Sequence, residues 1–277
     1  MKDFSQYKLN VRESPFDPRD WKAKAIFKEI ILPEIVDYRD HLFPVRDQGN
    51  QGSCAAMAGA AMKEWQEVID YKLNEYMSPQ FIYNNREDIT EEGMYMRDLM
   101  EILKEKGDCI ERMFPYGSNG KPSIEVFMNA SLFKISNYAA VNTIEEFKTA
   151  LFLNGPCIIA IPVYNYTERM WFKRESDSFL GGHALCVVGY NKEGFIIRNS
   201  WSEEWGQKGY CIMSYEDFGL QYEVWTCIDA KSVDPPLPPI PPVPEPKTWL
   251  SKYWWIVLIC VVVISLTFFI LTKNSKL

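Results

Sequence analysis

The 277-residue chain predicts an α+β domain followed by a proline-rich linker and one C-terminal transmembrane helix. Three observations carry that expectation. Helical patterns dominate the first half, short β-like runs crowd the second, and the C-terminal stretch passes from proline-rich to wholly apolar.

The chain opens MKDFSQYKLNVRESP, with no apolar core of a secretory signal, so none is expected. The first 30 or so residues, SPFDPRDWKAKAIF among them, either wrap the body or occlude a cleft, and composition does not decide between the two. From Cys54, AAMAGAAMKEWQEVIDYKL reads as a helix over 54–73, with small residues for close packing and with Glu64 and Glu67 on its polar side. RDLMEILKEK (97–106) is an amphipathic helix stopped at Gly107. TIEEFKTALFLN (143–154) starts with Thr143 and Glu146 in capping-box spacing and stops at Gly155-Pro156. The runs CIIAIPV, HALCVVGY, GFIIRNS, GYCIMSY and YEVWTCIDA then read as strands.

Beyond them, DPPLPPIPPVPEPK (234–247) lacks the amide donors of helix or sheet and predicts a polyproline-II spacer reaching about 40 Å. Trp254 to Thr272 carries no charge, and a helix of about 19 residues spans about 28 Å, close to a bilayer core. Trp249, Tyr253, Trp254 and Trp255 gather at its entry side, and Lys247, Lys252, Lys273 and Lys276 bracket it. A single-pass tail anchor is the expectation, with the preceding residues facing the cytosol.

A net charge of −7 argues against nucleic acid as a partner, because phosphate binding needs a basic surface. The seven cysteines form no CxxC pair, so neither a metal nor a cofactor is expected. Cysteines in apolar runs such as PCIIAI read as buried free thiols, which suits a reducing compartment.

The chemistry lies in an ordered set of residues. Cys54 follows Gly52-Ser53, and of only two histidines one, His183, lies downstream together with Asn199, at separations of roughly 130–150 residues that suit a thiol nucleophile, an imidazole and an orienting amide. At a helix N-terminus the positive dipole end would favour the Cys54 thiolate. His183 would complete the ion pair and later protonate the leaving amine. Gln48 and the backbone N–H of Cys54 would hold the oxyanion. Asn199 would orient the ring of His183, and Trp201 would cover that contact. His41 has no partner motif and reads as structural.

These residues, with PVRDQGNQGSC, SPQFIYN, the Gly93–Tyr116 stretch and RNSWSEEWGQKGY, resemble the papain-like (C1) cysteine peptidases over about residues 34–228. The text is closest to the microbial and viral branch, found in large DNA viruses such as iridoviruses. The resemblance implies a papain-like two-lobe fold, with a helical left lobe carrying Cys54 and a β-barrel-like right lobe carrying His183 and Asn199. It also implies a polypeptide substrate in the cleft between them, with Gly93 and Gly182 along its backbone path. The family's usual cysteine three residues before the nucleophile is Gln51 here, its aromatic after the nucleophile is Ala55, and its glycine after NSW is Ser202. No catalytic atom is lost by these changes.

The expected organisation is an N-terminal extension (1–33), a peptidase domain (34–232), the linker (233–252), the transmembrane helix (253–272) and a short tail (273–277). The expected function is a membrane-anchored, monomeric thiol peptidase acting through a Cys54 acyl-enzyme. A catalytically weak peptide-binding scaffold and a peptide ligase or amidase use the same residues and stay open as alternatives.

Overall fold

The computed structural model describes residues 2–23 and 30–230. Contacts divide the chain into Met1–Val233 and Asp234–Leu277. The proline-rich linker, the expected transmembrane run and the tail lie outside the described residues. Among the described residues no helix is long and apolar enough to cross a membrane.

The first half builds helices around α1 (Cys54–Tyr71), whose Ala55, Ala56, Ala58, Ala60 and Ala61 are all buried. It stops two residues short of the expected end, because Lys72 turns into the left-handed region at φ 56°. There its N–H caps the carbonyl of Val68, a common helix exit. α2 (Pro79–Asn84) is capped by Ser78, whose Oγ accepts from the Phe81 amide at 3.0 Å. α3 (Met96–Glu105) turns its apolar stripe, Leu99, Met100, Ile102 and Leu103, inward. α4 (Ile124–Ala130) is capped by Ser123.

The polar side expected for α1 is corrected here. Glu64 and Glu67 are both buried, together with Lys63. α1 packs against α2 and α3 and against the strands β3 (Cys157–Val163) and β4 (Gly181–Tyr190), so its stretch carrying Lys63, Glu64 and Glu67 is covered, while Ile69 near its end stays exposed. Its charges pair instead. Lys63 Nζ stands 2.6 Å from Glu67 and 2.6 Å from Asp229 at the end of the last strand. Glu64 accepts from the Met77 amide.

The strand-rich half is one seven-stranded sheet. β2 (Ile135–Ala140), β5 (Gly194–Arg198), β6 (Tyr210–Ser214) and β7 (Glu223–Asp229) join in the order β2-β7-β3-β4-β5-β6, and β1 (Val36–Asp37) pairs with β4. Every pairing is antiparallel. α5 (Ile144–Asn154) opens with the expected cap, Thr143 Oγ1 accepting from the Glu146 amide at 3.1 Å. Leu185 and Val187 of β4 join Phe147 and Leu151 of α5 in the main core, while Ala184 and Cys186 line a small cavity with Met57 and Ala61 of α1. Alternation along β4 thus presents successive residues to different layers, and both layers are buried. That is why the run reads as continuously apolar.

Candidate active site

Cys54 is the first residue of α1 and is buried. The N-cap residue, Ser53, makes no side-chain cap; its hydroxyl is hydrogen-bonded instead to the Tyr116 hydroxyl at 2.5 Å. The first amides of a helix have no intrahelical acceptor, so the uncapped end of α1 offers N–H groups around the sulfur. Backbone amides of Ala184, Ala55, Asn10 and Val11 face the Cys54 sulfur and favour its thiolate.

His183 sits on β4 beside Ala184 and is wholly buried. Its Nε2–H donates to Asn199 Oδ1 at 2.8 Å, and the same oxygen accepts the Ser200 amide at 2.7 Å. An amide oxygen can only accept, so this contact places the ring proton on Nε2 and leaves the lone pair on Nδ1, which has no hydrogen-bond partner among the described residues. Trp201 stacks on the imidazole, ring centroids 4.7 Å apart and planes 29° off parallel, and so covers the His183–Asn199 contact as expected.

Gln48 is held by both ends of its amide. Its Oε1 accepts from Ser200 Oγ at 2.8 Å, which aims Nε2 at the carbonyls of Gln51 (3.1 Å) and Lys8 (3.3 Å). The Tyr116 hydroxyl donates to the Gln48 carbonyl at 2.7 Å. Ser200 and Tyr116 were not singled out from the sequence. Ser200 was readable as the middle of Asn-Ser-Trp, whereas Tyr116 reaches the site from a distant loop with no local signal.

The choice left open for the N-terminal residues is settled at this cleft. Residues 8–14 run through it as an occluding strap. The Val11 amide donates to the Gly182 carbonyl at 3.1 Å, and the Arg12 amide to the Met94 carbonyl at 3.3 Å. The strap lies directly on the glycines expected to carry substrate. A Cβ on Gly93 would stand 1.8 Å from the Asn10 oxygen, and one on Gly182 would stand 2.3 Å from the Val11 oxygen. The open wall expected at Gly181 and Gly182 is therefore filled by Leu9 and Val11. Farther along, Tyr7 stacks on Trp201 at 5.3 Å and bonds Asp47, and Phe4 stacks behind it. At the other end, the amide and hydroxyl of Ser14 both donate to Glu223 Oε1, at 3.0 and 3.1 Å.

Burial under this strap overrides the helix dipole. It pushes the Cys54 thiol up, against the lowering effect of the four backbone amides, and the helix start does not yield the depressed value expected. It also pushes His183 down to about 4, only partly offset by Asn199. With the strap in place, burial disfavours the charged form of both thiol and imidazole and so works against the ion pair expected at this site.

A helical half around one central helix, an antiparallel sheet and a thiol at a helix start beside an imidazole–amide pair define the architecture of a thiol hydrolase. Residues 32–227 match the papain family of cysteine proteases. The chain belongs to that family and is a cysteine peptidase. It is 29% identical over 243 residues to a peptidase C1-like protein of Acanthamoeba polyphaga mimivirus, covering 75% of this chain and 78% of that one. It is 30% identical over 199 residues to cathepsin J of Mus musculus, covering 65% of this chain and 59% of the cathepsin. Among solved structures it resembles xylellain, a cysteine protease from Xylella fastidiosa, with 28% identity, a TM-score of 0.70, and 82% of this chain and 98% of that one covered.

Proposed function

We propose that the chain is a latent endopeptidase that cleaves polypeptides through a Cys54 acyl-enzyme once the N-terminal strap leaves the cleft. The observation that carries this reading is the tautomer of His183. With its proton held on Nε2 by Asn199, the free Nδ1 lone pair can take the Cys54 proton. The thiolate then attacks the peptide carbonyl carbon, and the oxyanion is held by Gln48 Nε2 and the Cys54 N–H. The imidazolium returns its proton to the leaving amine, the C–N bond breaks, and water deacylates the thioester with His183 as base. In the strapped state Gln48 Nε2 is already donating to a carbonyl, that of Lys8. The sulfur meets the strap amides of Asn10 and Val11, which supports the strap as a ligand of the cleft.

An apolar, charge-free run at Trp254–Thr272 supports membrane anchoring, and the proline-rich stretch supports a stand-off between that anchor and the catalytic body. Among the described residues the cysteines are buried and free, which supports placement of the body in reducing surroundings. Glycosylation tags placed in the body and in the tail are expected to report a body that stays unmodified; a modified body would refute the cytosolic placement.

Mass spectrometry of peptide products tests the catalytic reading. A full chain with a weakened strap (Lys8→Glu with Arg12→Glu) is expected to hydrolyse unstructured peptides, and the same chain with Cys54→Ala is expected to cut none. Cleavage that survives Cys54→Ala would refute it.

A further inference from the structure

A strap that binds its own cleft reports what the cleft accepts. Its backbone follows Gly93, Met94 and Gly182, but its side chains show a second pattern. Within residues 2–14 the basic side chains are Lys2, Lys8 and Arg12, and each meets an acid of the body. Lys2 Nζ is 2.7 Å from Asp47 and 3.4 Å from Glu204. Lys8 pairs with Glu92. Arg12 is 3.7 Å from Asp88, with its guanidinium 4.3 Å over the Tyr95 ring.

The acids on the Gly93 side belong to one loop, where Glu87, Asp88, Glu91 and Glu92 fall within residues 87–92. Of the body's cations beside it, Arg86 faces away from them into backbone, donating to the carbonyls of Tyr83, Ile89 and Glu91 and stacking 3.8 Å over Tyr83, and Lys106 donates to the Asn85 carbonyl. Asp88 accepts from the amide and hydroxyl of Thr90, which hold its carboxyl below the usual range, so it stays ionised at neutral and mildly acidic pH. When the strap leaves, Asp88 and Glu92 lose their partners along the wall where a bound peptide must run. Like charges placed there are repelled and cations are attracted.

Resting on the peptidase reading above, we infer that the enzyme's substrates are basic polypeptide segments, whose Lys or Arg side chains replace Lys8 and Arg12 on Glu92 and Asp88. The strap is then an intramolecular competitor of the same charge type.

The test uses the full chain carrying Lys8→Glu and Arg12→Glu, which turns both pairs into repulsions. Alkylation of Cys54 is expected to quicken about two- to fivefold per pair broken, the range of exposed ion pairs. An unchanged rate would overturn the inference, since the pairs would then contribute nothing to occupancy. On this background, matched quenched peptides with Lys or Arg around the cleavage point are expected to be cut about tenfold faster than their Glu counterparts, with the difference shrinking near 0.5 M salt. With Lys8→Ala and Arg12→Ala in place of the two glutamates, so that no reversed ion pair re-forms with the strap, adding Glu92→Lys, which leaves the Asp88 turn intact, is expected to narrow the preference, and adding Asp88→Lys as well to reverse it. Equal handling of the two peptides, or a preference that ignores both substitutions, would overturn it.

Binding separates this inference from the peptidase reading. With Cys54→Ala on the same background, fluorescence anisotropy is expected to rank the basic peptide above the acidic one in affinity. Selective binding of basic peptides that the Cys54 enzyme never cuts would refute the peptidase reading and leave the charge preference standing. Unselective binding with normal cleavage would do the reverse.

Discussion

At the residue scale, His183 is caught between two demands. Catalysis needs it to accept a proton, but under the strap it titrates near 4 because burial outweighs the Asn199 hydrogen bond. Between its ordinary value of 6.5 and 4, the unfolded chain takes up a proton that the closed chain refuses, so the closed state loses stability as pH falls through that window. The loss amounts to ~3 kcal/mol at pH 4, and above about pH 6.5 it vanishes. Glu67, pushed up to about 7 by burial, acts in the opposite direction, so total stability is a poor readout. The readout is a difference: the unfolding free energy of Cys54→Ala minus that of Cys54→Ala with His183→Phe, followed in urea. It is expected to shrink by ~3 kcal/mol from pH 7 to pH 4, and a flat difference would contradict the burial argument.

Asn199 fixes the tautomer, and its loss is expected to be felt in turnover as well as in folding. In a strap-weakened chain, Asn199→Ala should lower kcat/KM roughly thirtyfold, about 2 kcal/mol for a buried ring N–H left unpaired. Most of this machinery was legible in sequence, because a thiol, an imidazole and an amide at these separations constrain one another. The protonation states were not. They depend on what covers the site, and residue types near Cys54 carry no trace of Asn10 and Val11 lying against its sulfur.

At the element scale, α1 was legible as a central helix but not in its polarity. Glu64 and Glu67 sit where a surface helix would have its wet face, and only the packing of α2, α3 and the sheet around them shows that they are covered. Lys63 is consequently a core residue tying α1 to the end of β7. Lys63→Met is expected to destabilise the fold by about 3 kcal/mol in urea titration, because Glu67 would be left as a buried acid, and Asp229 as a half-buried one, without a cation. A loss below about 0.5 kcal/mol would mean that the pairing adds nothing beyond its desolvation cost. The short helices α2 and α4 escaped sequence reading for a simpler reason: one or two turns show no periodicity. β4 allows a second test. Gly182→Ala would place a methyl 2.3 Å from the Val11 oxygen, so it is expected to dislodge the strap and speed alkylation of Cys54 by a small reagent such as iodoacetamide. An unaltered rate would show that the strap does not limit access.

At the scale of the whole molecule, the first residues of the chain and the catalytic cleft form one device. The resemblance read from the motifs identified the family, and the match over residues 32–227 bears that out. The strap stayed ambiguous because its hold is distributed over a glycine-lined path, a stack of Phe4 and Tyr7 on Trp201 and a few ion pairs, none of which forms a local pattern. Together these contacts describe a competent Cys54 site held closed by this strap. The most direct test of that closure is a time course of Cys54 modification by an epoxide probe for cysteine peptidases, followed by intact-protein mass spectrometry. The full-length wild type is expected to label slowly, the Lys8→Glu, Arg12→Glu chain severalfold faster, and either chain with Cys54→Ala not at all. Equal rates for the wild type and the strap variant, or no labelling of the folded, reduced strap variant, would contradict it.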